Sequence, residues 1–259
     1  MDERLVLERF DAELRIHPVP ERSVRFETIG GIVRAVGEYA GIVYWELTEA
    51  DADRAIDEQV AYYASLGRAV EWKVYGHDRP HDLGDRLAAR GFEPRAPETL
   101  MVWDLAGGVP SASSTPDIAI RRVRDEAGLL DLVAVASAAF GRDLRAQDDR
   151  FRSRLDDPTL GLFVAYAGVV PVAEGRLEMP PGRSFAGLWG GGTLPPFRGR
   201  GIYRALVAAR AREAAGRGFR YLTVDASAAS RPILERLGFV PLGAITEWVR
   251  RPGAGVAPR

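Results

Sequence analysis

The sequence has no cysteine among its 259 residues. This absence excludes disulfide bonds, a thiolate nucleophile and metal sites with cysteine ligands, and we expect a cytoplasmic protein. Histidine is nearly as scarce, with three residues in the chain. His77 and His81 have the spacing of a helical metal pair, but Pro80 between them disrupts a helix and no third ligand is evident nearby. We therefore expect no metal site.

Net charge and long apolar runs are also lacking. The chain has 35 Lys and Arg against 36 Asp and Glu, so no global field favours nucleic acid or an anionic membrane. The apolar run Leu129–Phe140 is interrupted by Asp131 and Ser137 and is shorter than the roughly 20 residues that span a bilayer. The charged start, Met1–Arg4, leads into no apolar core of the signal-peptide type. We expect no nucleic-acid or membrane partner.

The residues that are present, 46% hydrophobic and 27% charged, are typical of a globular protein. In the first half, runs of β-branched and aromatic residues from Val24 to Trp45 predict an antiparallel meander. Residues 4–16 show no clear period. The rest of this half is predicted as a helix at Thr48–Gly67, a strand at Val70–Tyr75, a short helix after Asp82 as its cap, and a strand at Thr99–Leu105.

Residues 106–117 are small, polar or proline throughout, which is typical of a linker. After it, Glu126–Phe140 predicts a helix with Leu129, Leu130, Val133 and Ser137 on its buried stripe. A charged second helix is expected up to Asp157. The other predictions are strands at 118–123, 162–167, 170–178, 185–193, 221–226 and 244–250, and helices from the loop at 198–201 to about 215 and at 230–237.

The two halves share one sequence pattern. Leu87–Pro94 and Leu234–Pro241 both read Leu-x-x-x-Gly-Phe-x-Pro, and each follows a helix, a Gly-Arg turn and a strand. Such an ordered context predicts a repeated supersecondary unit. We therefore predict an α+β protein with two copies of one fold, at residues 1–105 and 118–259, each a mixed, mostly antiparallel sheet flanked by helices.

The stretch from Gly190 to Tyr203 carries the strongest functional signal. Within it, Arg198-Gly199-Arg200-Gly201 opens a helix directly after a strand, so backbone N–H groups and arginines can meet one anion. No Gly-Lys-Ser/Thr follows, and Arg204 stands where a third dinucleotide-binding glycine belongs. A phosphate-bearing ligand is the leading interpretation. The alternatives are a plain surface turn and, for Gly190–Gly192, a simple β-bulge.

Residues 118 to about 250 resemble the GNAT superfamily of acyl-CoA-dependent N-acyltransferases. The family's Arg/Gln-x-x-Gly-x-Gly/Ala signature is similar to Arg198–Tyr203, with Tyr203 departing from the usual small residue. The resemblance implies tandem GNAT-like domains and acetyl-CoA as co-substrate. It also implies that the backbone of Gly191, Gly192 and Thr193 pairs with the pantetheine arm, and that an N–H at this strand end stabilises the oxyanion. The cofactor-binding residues implied are Gly191, Gly192, Thr193, Arg198, Gly199, Arg200, Gly201, Ile202, Tyr203 and Ser227.

Direct transfer to an amine needs a base and an acid. The acid that the family often takes from a tyrosine is missing, since Leu234 occupies that position. Candidate bases are Asp225 at a strand end, or Glu174 or Glu178, which share one face of a strand. A solvated strand-end aspartate is the alternative for Asp225. Ser227 and Ser230 are alternatively caps of the next helix, the more so for Ser230.

The first copy has an acidic segment, Glu46–Asp53, where the second has its arginine-glycine loop. Since such a segment repels phosphate, we expect the first copy to bind no CoA and to complete an acceptor cleft or stabilise the pair. The expected activity is acetyl transfer from acetyl-CoA to a small-molecule or peptide amine. The alternative is a non-catalytic acyl-CoA-binding or interaction module, and the sequence leaves the oligomeric state open.

Overall fold

The computed structural model describes residues 1–20, 22–111, 115, 117–145 and 148–253. The predicted linker lies partly outside the described residues, at 112–114 and 116, and so does the end of the predicted second domain, at 254–259. The chain forms two compact units, each built from segments that are separate in the sequence. Unit 1 comprises Met1–Leu100, Ala226–Ala229 and Pro241–Arg259, and unit 2 comprises Met101–Asp225 and Ser230–Val240. The domain boundaries at 105 and 118 stay predictions.

The elements follow in chain order. The α-helices are α1 Glu3–Phe10, α2 Glu49–Ser65, α3 Leu83–Ala88, α4 Glu126–Phe140, α5 Asp148–Arg152, α6 Ile202–Gly216 and α7 Arg231–Leu237. The strands are β1 Val24–Ile29, β2 Ile32–Gly37, β3 Gly41–Trp45, β4 Val70–Tyr75, β5 Glu93–Pro94, β6 Glu98–Asp104, β7 Ile118–Arg122, β8 Leu160–Ala167, β9 Val170–Glu178, β10 Phe185–Trp189, β11 Tyr221–Ala226 and β12 Val240–Arg250. A π-helical turn, Asp11–Ile16, continues α1.

Unit 1 contains a sheet in the order β1-β2-β3-β4-β12, with β5 also paired to β12. The pairs β1/β2 and β2/β3 are antiparallel, which confirms the meander predicted over Val24–Trp45. Strands β3 and β4 run parallel because α2 connects them. Thr48 caps α2 as predicted, since its hydroxyl oxygen accepts the N–H of Asp51. The helix packs its apolar face on the sheet around the fully buried Trp72.

Unit 2 contains a sheet in the order β6-β11-β10-β9-β8-β7. Strands β7 to β10 are antiparallel neighbours, whereas β10 and β11 are parallel because α6 crosses between them. Helices α4 and α6 both pack against β9. Each unit is therefore an α+β arrangement with a mixed sheet and flanking helices, as predicted.

Some local predictions are wrong. Leu130 is 52% exposed, because the buried stripe of α4 runs through Leu129, Leu132, Val133 and Ala136 at helical spacing. The charged second helix is only Asp148–Arg152. Neither Asp82 nor Ser230 makes a side-chain cap hydrogen bond, although each precedes its helix. The strand predicted at 185–193 is β10, and it ends at Trp189 because Gly190–Gly192 interrupt its pairing with β9.

Candidate active site

The parallel strands β10 and β11 separate towards their carboxyl ends. Their ladder runs from Phe185–Tyr221 to Gly187–Thr223, whereas β10 continues to Trp189 and β11 to Ala226. In open α/β sheets, ligands bind beyond the carboxyl ends of such strands. This part of unit 2 is therefore where a ligand-binding cleft is expected.

A β-bulge follows β10. Trp189 pairs with Arg176 of β9, and the next bridge pairs Thr193 with Ala173. Three residues, Gly190–Gly192, thus face the two residues Glu174 and Gly175, which is one residue more than a regular ladder holds. Gly190 and Gly191 have φ angles of +67° and +96°, in the left-handed region that favours glycine. We call Gly190–Gly192 the glycine bulge.

The ladder beyond the glycine bulge fixes the direction of the Thr193 backbone. The N–H of Glu174 donates to the Gly192 carbonyl, and the N–H of Leu194 donates to the Val172 carbonyl, each at 2.9 Å. These two bonds flank the pair Ala173–Thr193, so the N–H and C=O of Thr193 point away from β9. The Thr193 hydroxyl oxygen is buried and has no hydrogen-bond partner among the described residues.

Glu174 lies under the glycine bulge on the α4 side of the sheet. It is 3% exposed, and its Oε1 accepts the N–H of Gly192 at 2.9 Å. Burial raises the pKa of the Glu174 carboxyl, against the opposing effects of this N–H and of the Arg210 charge. A Cβ at Gly192 would lie 2.7 Å from the Cβ of Ala139 in α4, so the packing requires glycine there. Both backbone groups of Gly192 are engaged by Glu174, whereas those of Thr193 are turned the other way.

Arg210 is a site residue that sequence reasoning missed. It lies on α6, is 1% exposed, and its Nη1 donates to the carbonyls of Arg176 at 3.0 Å and Trp189 at 3.2 Å. A Cβ at Gly175 would lie 2.8 Å from the guanidinium carbon, so glycine leaves the space that Arg210 fills. The available signal was its spacing, because Arg210 falls between Leu206 and Ala214 on the buried stripe of α6.

Tyr203 packs against the glycine bulge. A Cβ at Gly191 would lie 2.8 Å from Cε2 of the Tyr203 ring. Burial raises the pKa of the Tyr203 phenol, and the Arg210 charge opposes this shift. The aromatic ring that departs from the family signature is therefore a packing partner of Gly191.

The segment Arg198–Gly201, here named the anion loop, leads into α6. Gly199 and Gly201 have φ angles of +75° and +78°, and a Cβ at Gly199 would meet no heavy atom within 4 Å. The first described bond of the helix runs from the N–H of Ala205 to the Gly201 carbonyl. The N–H groups just before Ala205 have no intrahelical acceptor, and no side chain caps the helix. This end of α6 therefore has the donors and partial positive charge of an anion site.

The two arginines of the anion loop have separate contacts. The Nε of Arg198 donates to the Thr193 carbonyl at 3.0 Å and so links the loop to the residue after the glycine bulge. Arg200 is exposed, and its guanidinium lies 5.1 Å from the ring centroid of Phe197. Arg198 thus orders the backbone, and Arg200 adds exposed positive charge near the start of α6.

The remaining candidate residues have surroundings of their own. Glu178, on the same face of β9, forms an ion pair with Arg176 at 3.0 Å. Asp225 is partly buried near the carboxyl end of β11. Ser227 is exposed in the loop after this strand and is grouped with unit 1. Leu234, at the position of the missing tyrosine, is fully buried in α7.

Unit 1 has a related parallel pair, β3 and β4, whose ladder covers Gly41–Glu71 and Ile42–Trp72. Beyond it lies Arg15, which is 2% exposed. Its Nε donates to the Val43 carbonyl of β3 at 3.0 Å, and its guanidinium lies 4.1 Å from the centroid of the Tyr75 ring of β4. Two further bonds of 2.9 Å join it to the carboxylate of Asp78. Unit 1 thus holds one of its own cations between the ends of its parallel strands.

The two histidines with metal-pair spacing have different partners. His77 Nε2 contacts Asp11 Oδ2 at 2.7 Å, and His81 Nδ1 contacts Arg79 Nη1 at 3.0 Å. Among the described residues, no group of three or more His, Asp or Glu side chains is arranged to hold a metal ion. The part of the chain that the structure describes also contains no helix long and apolar enough to cross a membrane.

Residues 129–239 match the model of the acetyltransferase (GNAT) family. A comparison with curated proteins found no match.

Solved structures match over nearly the whole chain. A GCN5-related N-acetyltransferase from Kribbella flavida shares 19% identity, with 90% of this chain and 91% of that chain covered and a TM-score of 0.69. A GCN5-related N-acetyltransferase from Sphaerobacter thermophilus shares 16% identity, with 96% of this chain and 86% of that chain covered and a TM-score of 0.63. A tandem GNAT protein from the clavulanic acid biosynthesis pathway shares 14% identity, with 98% of this chain and 95% of that chain covered and a TM-score of 0.60. At these identities the similarity shows the fold, which is that of the GNAT acetyltransferases.

Proposed function

We propose that unit 2 transfers an acetyl group from acetyl-CoA to a primary amine by direct attack in a ternary complex. The observation that carries this proposal is the backbone of Thr193, whose N–H points away from β9 at the end of the glycine bulge. A preorganised N–H of this kind stabilises the oxyanion of a tetrahedral intermediate, an effect worth about 10²–10³ in rate. The family match over residues 129–239 supports the choice of thioester and amine.

The anion loop supports acetyl-CoA as the co-substrate. Its donors at the start of α6 suit the pyrophosphate, and the strand edge at Thr193, whose backbone is turned away from β9, suits an extended pantetheine arm. The buried Thr193 hydroxyl without a partner among the described residues is a further polar group for this ligand. We propose that the cofactor site is formed by Arg198, Gly199, Arg200 and Gly201 of the anion loop, by Ile202 and Tyr203 at the start of α6, and by Ser227.

We propose Asp225 as the general base. Glu178 is held by Arg176, and Glu174 is buried with one oxygen bound to Gly192, so both are less suited to receive a proton from an incoming amine. Asp225 is partly buried near the open end of β11, where a carboxylate can face an acceptor. The leaving thiolate takes its proton from a group other than Leu234, which is apolar and buried.

A duplication of the GNAT fold is the proposed origin of the two units. In each unit a helix joins two parallel strands, α2 between β3 and β4 and α6 between β10 and β11. Arg15 occupies the strand ends in unit 1 and supports the expectation that this unit binds no CoA. The acceptor class stays broad, a small-molecule or peptide amine, and the proposed location is cytoplasmic.

Turnover and binding test the proposal separately. Thiol release from acetyl-CoA is measured over a panel of amines, and the Kd of CoA is measured by calorimetry. We expect release that requires an amine, and we expect Asp225→Asn to abolish it with the Kd unchanged; Glu178→Gln is the matched control. CoA binding without turnover on any amine would favour the acyl-CoA-binding module, for which the buried Leu234 is the structural argument. No CoA binding would refute both functions.

A further inference from the structure

We propose that Arg210 is a positioning residue that fixes the glycine bulge from the α6 side of the sheet and thereby aims the N–H of Thr193 at the acyl carbonyl. This inference rests on the proposed function, because it assigns a role within the same site. Arg210 itself contacts strand carbonyls rather than reacting atoms.

The contacts of Arg210 lie where the regular ladder ends. Trp189 and Arg176 form the last regular pair before the glycine bulge, and the carbonyls of both accept hydrogen bonds from Nη1 of Arg210. Its Nε donates to the Leu206 carbonyl, one turn earlier on α6. One planar guanidinium thus joins both strands and the helix, a geometry that a lysine ammonium does not reproduce.

Glu174 holds the other end of the bulge from the opposite face. Its carboxylate accepts the N–H of Gly192, so Arg210 fixes the residue before the bulge and Glu174 fixes the last residue within it. Burial raises the pKa of Glu174 and lowers the pKa of Arg210, and the attraction between their opposite charges opposes both shifts. Gly175 completes the arrangement by leaving room for the guanidinium.

The extra residue matters because strand register has a period of two. If the bulge relaxes into a regular ladder, the register slips by one residue and the Thr193 N–H turns towards β9. The oxyanion donor would then be lost, together with the bond from Arg198 Nε to the Thr193 carbonyl, whereas the N–H groups proposed to bind the pyrophosphate belong to the start of α6. Arg210 is therefore expected to affect the chemical step far more than cofactor binding.

The experiment compares Arg210→Lys and Gly175→Ala with Arg212→Met, a control at an exposed arginine of the same helix. Arg210→Lys removes the fork, and Gly175→Ala displaces the guanidinium while keeping its charge. In both variants we expect kcat for thiol release from acetyl-CoA to fall about 10²-fold. The Kd of CoA is expected to stay within about threefold, because its pyrophosphate donors are unchanged.

A readout that needs no turnover comes from the amides. The chain has eight threonines, so ¹⁵N-threonine labelling gives a small set of signals in which Thr193→Ser assigns Thr193. In the wild type we expect acetyl-CoA to shift the Thr193 amide. In Arg210→Lys we expect this shift to be lost. In the free protein labelled with ¹⁵N-glycine, we expect the Gly192 amide of Arg210→Lys to exchange with solvent at least about tenfold faster than that of the wild type, because the bulge opens more often.

The outcomes separate this inference from the proposed function. Unchanged kcat and unchanged Gly192 exchange in Arg210→Lys overturn the positioning role while leaving the acetyltransferase intact. A loss of CoA affinity in proportion to kcat also overturns it, since Arg210 would then act on the whole unit. If the wild type neither binds CoA nor releases thiol, the proposed function fails, and Gly192 exchange still decides whether Arg210 holds the bulge.

Discussion

Glu174 and Gly192 hold each other by two hydrogen bonds. The N–H of Glu174 donates to the Gly192 carbonyl at 2.9 Å, and the N–H of Gly192 donates to Oε1 of Glu174 at 2.9 Å. The first bond is an ordinary ladder bond, and the second replaces the ladder partner that the bulge removes. The glutamate therefore has a structural reason to be on β9, independent of any part in proton transfer.

Glu174→Gln and Glu174→Ala are expected to differ. The glutamine oxygen still accepts the Gly192 N–H, whereas alanine leaves that buried donor unsatisfied at a cost of about 1–3 kcal/mol. Denaturant unfolding should therefore rank alanine as the less stable variant by that amount. Thiol release should persist in Glu174→Gln within about tenfold. A loss approaching 10⁴-fold in Glu174→Gln alone would make Glu174 the base instead of Asp225.

The same carboxyl predicts a pH dependence of stability. Burial raises the pKa of Glu174 above its ordinary value of 4.5, so the folded protein binds this proton more tightly than the unfolded chain. The favourable contribution is complete below pH 4.5 and is lost as the pH rises through the folded-state value. The free energy of unfolding of the wild type, measured relative to Glu174→Gln, should therefore decrease from pH 4.5 upwards. An increase over that range would contradict the raised pKa.

Gly191→Ala is expected to destabilise unit 2 for two reasons. The φ angle of +96° strains any other residue, and the new Cβ would lie 2.8 Å from the Tyr203 ring. We expect a loss of about 2–4 kcal/mol in the free energy of unfolding. Gly199→Ala, at φ +75° with open space around its Cβ, is the control and should cost about 1 kcal/mol. Equal losses in the two variants would show that the Tyr203 contact adds nothing.

Much of this site was predictable because glycine leaves clear traces in a sequence. The helix start after the anion loop was predicted correctly, and the β-bulge at Gly190–Gly192 was the alternative to the predicted strand, since positive φ angles favour glycine at such points. The direction of each N–H was not predictable, because it depends on which residues of β9 lie opposite. Arg210 was missed for a related reason: an arginine on a helix is usually solvated, and the cavity left by Gly175 is visible only in three dimensions.

The anion loop predicts a charge effect on CoA affinity. Gly201→Asp adds a negative charge at the start of α6, whereas Gly201→Asn has nearly the same size and also tolerates the left-handed φ of +78°. The Kd of CoA, measured by calorimetry, should rise at least about tenfold more for aspartate than for asparagine. Salt screens exposed charges, and raising the salt from 0.05 to 0.5 M shortens the Debye length roughly threefold. The difference in Kd between the two variants should therefore become smaller over this range. Identical affinities in the two variants would show that the pyrophosphate does not bind at this loop.

Arg15 predicts where unit 1 is most sensitive. Arg15→Met leaves the buried Asp78 carboxylate without its cation, which typically costs about 3–5 kcal/mol. The matched control is Arg4→Met, at an exposed pair with Glu8 that contributes about 0.5 kcal/mol or less. Both are measured by denaturant unfolding.

Unfolding measured at acidic pH distinguishes the loss of the Arg15 ion pairs from a simple loss of packing. Burial alone raises the pKa of Asp11, but its bonds to His77 and Arg15 bring it below its ordinary value of 3.8. Its stabilising effect is therefore complete above pH 3.8 and is lost as the pH falls through the lower folded-state value. The difference in the free energy of unfolding between the wild type and Arg15→Met should accordingly become smaller as the pH falls.

At a temperature where Arg15→Met is folded, its Kd for CoA should equal that of the wild type, because unit 2 carries the proposed cofactor site. A weaker affinity would assign unit 1 a part in CoA binding.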